Sequence, residues 1–210
     1  IKIVYEPRPT VRDEVTFTVD DGSPPPPPGD PHYLMYVDFS GDAQHIYDVE
    51  SRTDPPQYTT LDAYIGISQI GGSVAGLTVV SFRLSDSLTG CPGVLATQSF
   101  VNLLPGNLAI GDAFDQTGVT IAATECMDTD LLYVGYATYF YLSGSCDIRI
   151  LNHADYPRWV VDCQDPGVPH PYCVWKHGGI ARDPVAGDEG CRPNTAVENT
   201  SWGAIKAMYR

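Results

Sequence analysis

The residues of this chain best suited to covalent chemistry or metal binding are its six cysteines. All six lie after residue 90, and no two of them are spaced as a CxxC pair. An even number of cysteines without that spacing favours disulfides over a zinc ribbon or a redox motif. We therefore predict that they pair with one another in an oxidising compartment, with a connectivity that the sequence leaves open. The six are Cys91, Cys126, Cys146, Cys163, Cys173 and Cys191.

A metal site is the alternative use of one of these cysteines, because Cys173 and His177 stand four residues apart. Zinc needs two more ligands at suitable spacing, and the nearest cysteines, Cys163 and Cys191, suit disulfides better. The sequence also contains no CxxCH motif that would attach a haem. We expect neither metal nor haem at these positions.

Acidic residues cluster in segments 128–130 and 183–189. Neither segment matches the DxDxDG pattern of a calcium-binding loop, whose glycine and terminal glutamate complete the coordination. Solvated loop charge is the preferred interpretation, and calcium held by a loop is the alternative. We predict no cofactor.

Catalytic motifs are missing as well. No GxSxG motif surrounds a serine, since segment 66–70 (GISQI) lacks the second glycine. If all six cysteines pair, no thiol is left to act as a nucleophile. We predict that the chain is not an enzyme, although the scatter of the histidines does not by itself exclude a triad. The histidines are His32, His45, His153, His170 and His177.

Aromatic side chains in the second half of the chain supply rings that could stack on sugars. In the predicted strand 131–142, alternation places Tyr133, Tyr139 and Tyr141 on one face and Tyr136 and Phe140 on the other, so some of them belong to the core. A carbohydrate-binding or adhesive module, secreted or at the cell surface, is therefore the alternative function. The three tryptophans are Trp159, Trp175 and Trp202, and a sequon for glycosylation begins at Asn199.

The charge and hydropathy of the chain exclude some partners. Acidic residues number 26 against 12 basic ones, for a net charge of −14, which repels nucleic acid and anionic lipid. No apolar run approaches the roughly 20 residues that span a bilayer. The sequence begins at Ile1 without an initiator Met, and we predict an extracellular or cell-surface protein from which an export signal has been removed.

The elements that must position these residues are strands. With 20 Gly and 18 Pro, the chain is interrupted too often for long helices. Eight apolar segments bounded by turn residues predict an all-β fold, an antiparallel β-sandwich of jelly-roll or immunoglobulin-like type over residues 32–210. In the third segment the apolar positions change parity, which predicts a β-bulge, and residues after 164 are expected to form disulfide-stapled loops. The predicted strands are Tyr33–Phe39, Leu61–Ile70, Leu77–Leu84, Val94–Val101, Val119–Ala123, Leu131–Leu142, Asp147–Leu151 and Arg158–Cys163.

The first 21 residues, which we call the arm, form a segment of their own. Apolar and polar residues alternate along it with a period of two, as in a strand with one buried face. Val4 and Asp13 break this pattern, and Pro7 and Pro9 on odd positions interrupt hydrogen bonding. Residues 22–31, the linker, contain five consecutive prolines and are expected to form a stiff polyproline II spacer. The apolar face of the arm comprises Ile1, Ile3, Tyr5, Val11, Val15, Phe17 and Val19.

In this layout of arm, linker and sandwich, the chain resembles the pilin-like subunits of donor-strand fibres. In those fibres an N-terminal extension completes the β-sandwich of the next subunit. The resemblance implies a structural subunit of an extracellular filament, with the chain itself as head-to-tail partner and the apolar face of the arm as the subunit interface. Docking of the arm on its own domain is the alternative that the sequence leaves open.

Overall fold

The computed structural model describes residues 32–42, 49–70, 75–106, 108–128, 131–164, 166–188 and 191. These residues belong to one compact unit, Pro28–Pro193, and they form twelve strands and one short helix. The helix is α1 (Ser87–Gly90). The strands are β1 (His32–Asp38), β2 (Thr59–Ile70), β3 (Leu77–Leu84), β4 (Leu95–Asn102), β5 (Leu108–Asp112), β6 (Gly118–Met127), β7 (Leu131–Tyr141), β8 (Cys146–Ile148), β9 (Ile150–Leu151), β10 (Trp159–Val161), β11 (Pro169–Ile180) and β12 (Val185–Ala186).

Hydrogen bonds connect the strands in one continuous path, β4-β7-β2-β1-β11-β10-β3-β6-β5. Strands β8 and β12 also pair with β11, and β9 pairs with β3. The pairing of β1 with β11 is parallel, and the other pairings along the path are antiparallel. The two ends of the path, β4 and β5, approach each other. The sheet is therefore mixed and nearly closed, like a barrel.

Strand β11 holds the two halves of this path together. Its first residues, Pro169–Pro171, pair with β10, and residues 172–176 pair with β1. Its last residues, 178–180, pair with β8. One strand thus continues from one half of the sheet into the other, and the side chains of Tyr172 and Val174 are buried where it crosses.

The prolines of β11 interrupt no ladder. The backbone N–H of Tyr172 donates to the carbonyl of Arg158 at 3.0 Å. Since alternate residues of a strand face opposite neighbours, Pro169 and Pro171 direct their nitrogens away from β10. On that side the pairing with β1 begins only at Tyr172. Both prolines therefore sit where no donor is needed.

The enclosed core explains why these segments form strands. In β2, Leu61, Ala63, Ile65 and Ile67 alternate inward and are buried, as the period of two predicts. Fully buried Tyr139 and Phe82 are among the largest core residues, and each large apolar side chain of this kind stabilises the fold by roughly 1.5–3 kcal/mol. The inward faces thus provide the main driving force for closing the sheet.

A second cluster covers the outside of β1. Leu34 and Tyr36, which point away from the main core, are buried with Val49 and Cys191, and Tyr133 packs against them. Strand β1 is therefore apolar on both faces, which is the pattern of a central strand.

The sequence-based predictions for this part of the chain are confirmed at the level of fold class. The fold is all-β, and each predicted segment overlaps an observed strand. The register of β3 with β6 shifts between Leu77 and Val79, but the extra residues lie in β6, since Leu77 pairs with Met127 and Val79 with Ala122. The expected antiparallel sandwich differs from the mixed, nearly closed sheet, because β1 joins β11 in parallel. The region after residue 164 is stapled by the disulfide Cys173–Cys191 as predicted, but it is not all loop, since β11 lies there. The arm and the linker lie outside the described residues.

The six cysteines form three disulfides, Cys91–Cys146, Cys126–Cys163 and Cys173–Cys191. The first ties the segment after α1 to β8, the second ties β6 to the segment after β10, and the third ties β11 to the chain beyond β12. Three disulfides indicate a non-reducing environment. The described residues include no helix long and apolar enough to cross a membrane.

The disulfides should differ in their contribution to stability. The sequence separation is 55 residues for Cys91–Cys146 and 18 for Cys173–Cys191, and a longer loop loses more entropy in the unfolded chain. We expect removal of either bond by paired Cys→Ala substitutions to cost about 2–5 kcal/mol, with about 1 kcal/mol more for Cys91–Cys146. Urea unfolding measures both values. A larger cost for Cys173–Cys191 would show that the packing of buried Cys191 outweighs loop entropy.

Candidate functional site

Exposed apolar side chains lie at both ends of the hydrogen-bonded path. Leu108 and Ile110 of β5 are 54% and 68% exposed, and Val101 of β4 is 40% exposed. All five residues of β5 are exposed. Exposed apolar side chains at the edge of a sheet favour aggregation unless another strand, helix or loop covers them. We call strand β5, with its unpaired side, the β5 edge.

Strand β5 has one strand neighbour. It pairs with β6 in register from Leu108 opposite Ala122 to Asp112 opposite Gly118. Within the part of the chain that the structure describes, no strand pairs with the other side of β5. Every second residue of an antiparallel strand bonds the same neighbour, so the alternate N–H and C=O groups of β5 point away from β6, where another strand could bond to them.

The hairpin that carries the β5 edge is firmly built. The side chain of Asp112 accepts a hydrogen bond from the N–H of Phe114 at 2.9 Å, and the N–H of Gly118 donates to the carbonyl of Asp115 at 3.1 Å. Gly111 has φ of +90°, and a Cβ added there would meet the carbonyl oxygen of Gly118 at 2.3 Å. Glycine at position 111 is therefore required for the tight approach of the two strands.

The segment after β4, residues 103–106, lies between the two ends of the path. The N–H of Leu103 donates to the carbonyl of Val134 in β7 at 3.1 Å. The carbonyl of Pro105 accepts from the N–H of Thr124 in β6 at 3.0 Å. This segment is thus hydrogen-bonded to both halves of the sheet, on the side opposite β11. These bonds fix the position of the β5 edge.

Sequence reasoning missed β5, although a signal was present. Leu108, Ala109 and Ile110 form a short β-prone run between turn residues, Gly106 before it and Gly111 after it. The run is too short to show a clear alternation, and it contributes nothing buried. The predicted interface residues of the arm, from Ile1 to Val19, and the sequon at Asn199 lie outside the described residues.

The pair Cys173 and His177 does not form a metal site. Cys173 is disulfide-bonded to Cys191, and the Nδ1 atom of His177 accepts a hydrogen bond from the N–H of Ile150 at 3.2 Å. Among the described residues, no group of three His, Cys, Asp or Glu side chains is arranged to hold a metal ion. The histidine instead connects β11 to β9.

The tyrosines of β7 divide between the two faces differently from the prediction. Tyr139 and Tyr141 belong to the main core, but Tyr133 packs in the outer cluster, against Tyr36 and Tyr64. The cause is a bulge: Gly66 pairs with Tyr133 and Ile65 with Gly135, so Val134 has no partner across the ladder. The expectation that Tyr133 shares a face with Tyr139 is therefore wrong.

Tyr133 also has a polar role. Its hydroxyl donates to the carboxylate of Asp38, which is 2% exposed and accepts the N–H of Glu50 at 2.9 Å. Burial of a polar group is tolerated when its hydrogen bonds are satisfied in this way. Tyr133 and Asp38 thus stabilise the contact between β7 and β1.

Comparison of the chain with protein-family models, with curated proteins and with solved structures finds no match. The β5 edge is accordingly interpreted from its own geometry and charge.

The burial of His177 predicts a pH dependence of stability. Desolvation by burial is the largest cause that lowers the pKa of His177 below its ordinary value of 6.5. In the window between the lowered pKa and 6.5, the unfolded chain binds more protons than the folded chain, so stability falls as the pH falls through this window. His177→Asn keeps a hydrogen-bond acceptor near Ile150 without a titrating ring. We expect the melting temperature of the wild type to drop more between about pH 7.5 and pH 5 than that of the variant. Equal drops would contradict the assignment.

Proposed function

We propose that this chain is a structural subunit of an extracellular filament or surface assembly, and not an enzyme. In this proposal the arm of one subunit adds as a strand to the β5 edge of the next. The subunits then join head to tail, because the donating arm and the accepting edge are different surfaces. The observation that carries the proposal is the exposed apolar β5 edge, which has an unpaired side in the described part of the chain.

The arm is a suitable partner for this edge. Its alternating pattern, with apolar residues from Ile1 to Val19 on odd positions, describes a strand that has one face to bury. Adding it to β5 would pair the free backbone groups of both strands and bring the apolar face of the arm beside Leu108 and Ile110. The hydrophobic gain is about 25 cal/mol for each Å² of apolar surface removed from water.

The linker favours a neighbouring subunit over the arm's own domain. Five consecutive prolines in polyproline II conformation extend about 15 Å and resist folding back. Three disulfides suit a subunit that must survive outside the cell. Both properties agree with an assembly that works at the cell surface.

The filled core refines the mechanism. The inward faces of the described strands are already packed, with Ile65, Phe82 and Tyr139 fully buried. The arm is therefore proposed to extend the sheet at an edge, and not to supply a missing strand to an incomplete core. We accordingly expect a folded subunit before assembly.

The test uses the arm as a separate peptide. A domain without residues 1–23 should remain folded and monomeric, and a peptide of residues 1–20 should raise its melting temperature in a concentration-dependent way. Leu108→Lys places a charge on the β5 edge, where charged side chains block strand addition. We expect this variant to lose the stabilisation by the peptide. Calorimetry of the domain with increasing peptide measures it.

Matched controls separate the edge from general effects of charge. Leu88→Lys makes the same change at a leucine of α1 that is 37% exposed, and it should respond to the peptide like the unsubstituted domain. If the peptide stabilises the Leu108→Lys domain as well as the control, the arm binds elsewhere. If it stabilises none of them, the arm is not the assembling element.

A second prediction concerns the face of the arm. Phe17→Asp buries a charge on the apolar face, whereas Thr16→Asp places the same charge on the polar face. We expect the full chain with Phe17→Asp to assemble far less than the chain with Thr16→Asp. Sedimentation and electron microscopy of both proteins decide between them. Equal assembly would exclude one-sided burial of the arm.

A further inference from the structure

A groove of about 520 Å³ lies on the outer face of strands β3, β6 and β10, away from the core. It is separate from the unpaired side of β5, although Ile110 is one of its lining residues. Grooves of this size with a few convergent polar groups are typical of small-molecule sites. The groove is therefore a candidate site for a small molecule, and its lining indicates which kind.

The floor of the groove is one row of side chains across four strands. Ile110 pairs with Thr120, Thr120 with Ser81, and Ser81 with Trp159. Because paired residues of a sheet point to the same face, two hydroxyl groups lie between an apolar side chain and an indole ring. Residues far apart in the sequence thus form a continuous surface that is apolar at its ends and polar in the middle.

Aromatic rings form one side of the groove. The ring of Tyr156 lies 5.4 Å from that of Trp159 and 5.3 Å from that of His153. Tyr156 and Trp159 are 46% and 38% exposed, and their planes are tilted by 40°. Exposed rings held next to each other offer apolar faces on which a ligand can stack.

The hydrogen bonds of His153 determine which of its nitrogens faces the groove. Its Nδ1 atom accepts from the N–H groups of Asp155 and Tyr156, at 3.1 and 3.2 Å. In the neutral ring the proton is then on Nε2, which lies 3.5 Å from Oγ1 of Thr120. The same Oγ1 atom is 2.9 Å from Oγ of Ser81. Histidine and hydroxyl groups thus form a fixed polar chain, in which each hydroxyl has both donating and accepting capacity.

We propose that this groove binds a neutral saccharide. A pyranose ring has an apolar C–H face that matches the exposed rings of Tyr156 and Trp159. Its hydroxyl groups match the hydroxyl of half-buried Thr120, which the buried side chains of Ser81 and His153 hold in place. None of the described residues lining the groove is Lys or Arg, and Asp155 lies at its wall. Together with a net charge of −14, this lining disfavours uronic acids and other anionic sugars. The proposal does not depend on strand addition at the β5 edge.

The test is direct binding of defined oligosaccharides to the full chain. Neutral hexasaccharides of glucose, xylose and mannose are titrated by calorimetry, with an oligogalacturonate as the anionic comparison. We expect at least one neutral oligosaccharide to bind and the anionic one not to bind. Trp159→Ala should weaken binding at least tenfold, as for aromatic contacts at the centre of an interface, and Thr120→Val should weaken it several-fold by removing one hydroxyl.

Controls keep the result interpretable. Tyr58→Ala removes a ring that is 69% exposed outside the groove and should leave affinity unchanged, while Trp159→Phe should retain part of it. Melting curves of each variant show whether the fold is intact. No binding of any neutral oligosaccharide, preference for the anionic one, or full affinity in a folded Trp159→Ala variant would overturn the proposal. Self-association abolished by Trp159→Ala without any sugar would overturn it in favour of a protein interface.

Discussion

The fold depends on the pairing of β11 along its whole length. This strand bonds β10 at its start, β1 in its middle and β8 at its end, so it carries the sheet from one half to the other. The backbone N–H of Val174 donates to Asp188, and the carboxylate of Asp188 also pairs with Arg158, which connects β11 to the chain on either side of it. Without this strand the two halves of the sheet would share no ladder.

Because β11 lies in the middle of the hydrogen-bonded path, the edge strands of the sheet are those at its two ends, β4 and β5. Backbone groups at an edge must be paired, covered or protected, because they bond readily to other strands. Here the exposed residues of β5 are largely apolar and uncharged, with Asp112 alone at its end. The position of β11 therefore determines where another chain could attach, and the groove on the outer face of β3, β6 and β10 follows from the same arrangement of strands.

The sequence predicts the strands with local patterns and misses features that depend on distant pairing. Alternation identified β2, because it is a property of neighbouring residues, whereas the parity change in β3 accompanies a register shift whose extra residues lie in β6. Strand β11 was missed because prolines such as Pro169 and Pro171 ordinarily interrupt strands. They are tolerated here because their nitrogens point to the side of β11 where no hydrogen-bond donor is needed. The bulge at Val134 moved Tyr133 to the outer face. The row of Ser81, Thr120 and Trp159 is formed by the pairing of strands that are distant in the sequence, so no local pattern predicts it. The regular spacing of His153, Tyr156 and Trp159, in contrast, can be read from the sequence.

The central claim is that β5 is the accepting edge, and hydrogen exchange of its amides tests this most directly. The full chain is compared in its assembled form with the Phe17→Asp variant, and exchange is followed in the segment Leu108–Asp112. Strand addition predicts that the amides of β5 not bonded to β6 exchange at least about tenfold more slowly in the assembly, since each gains a hydrogen-bond partner. Unchanged exchange in β5, with new protection at another strand, would contradict the claim.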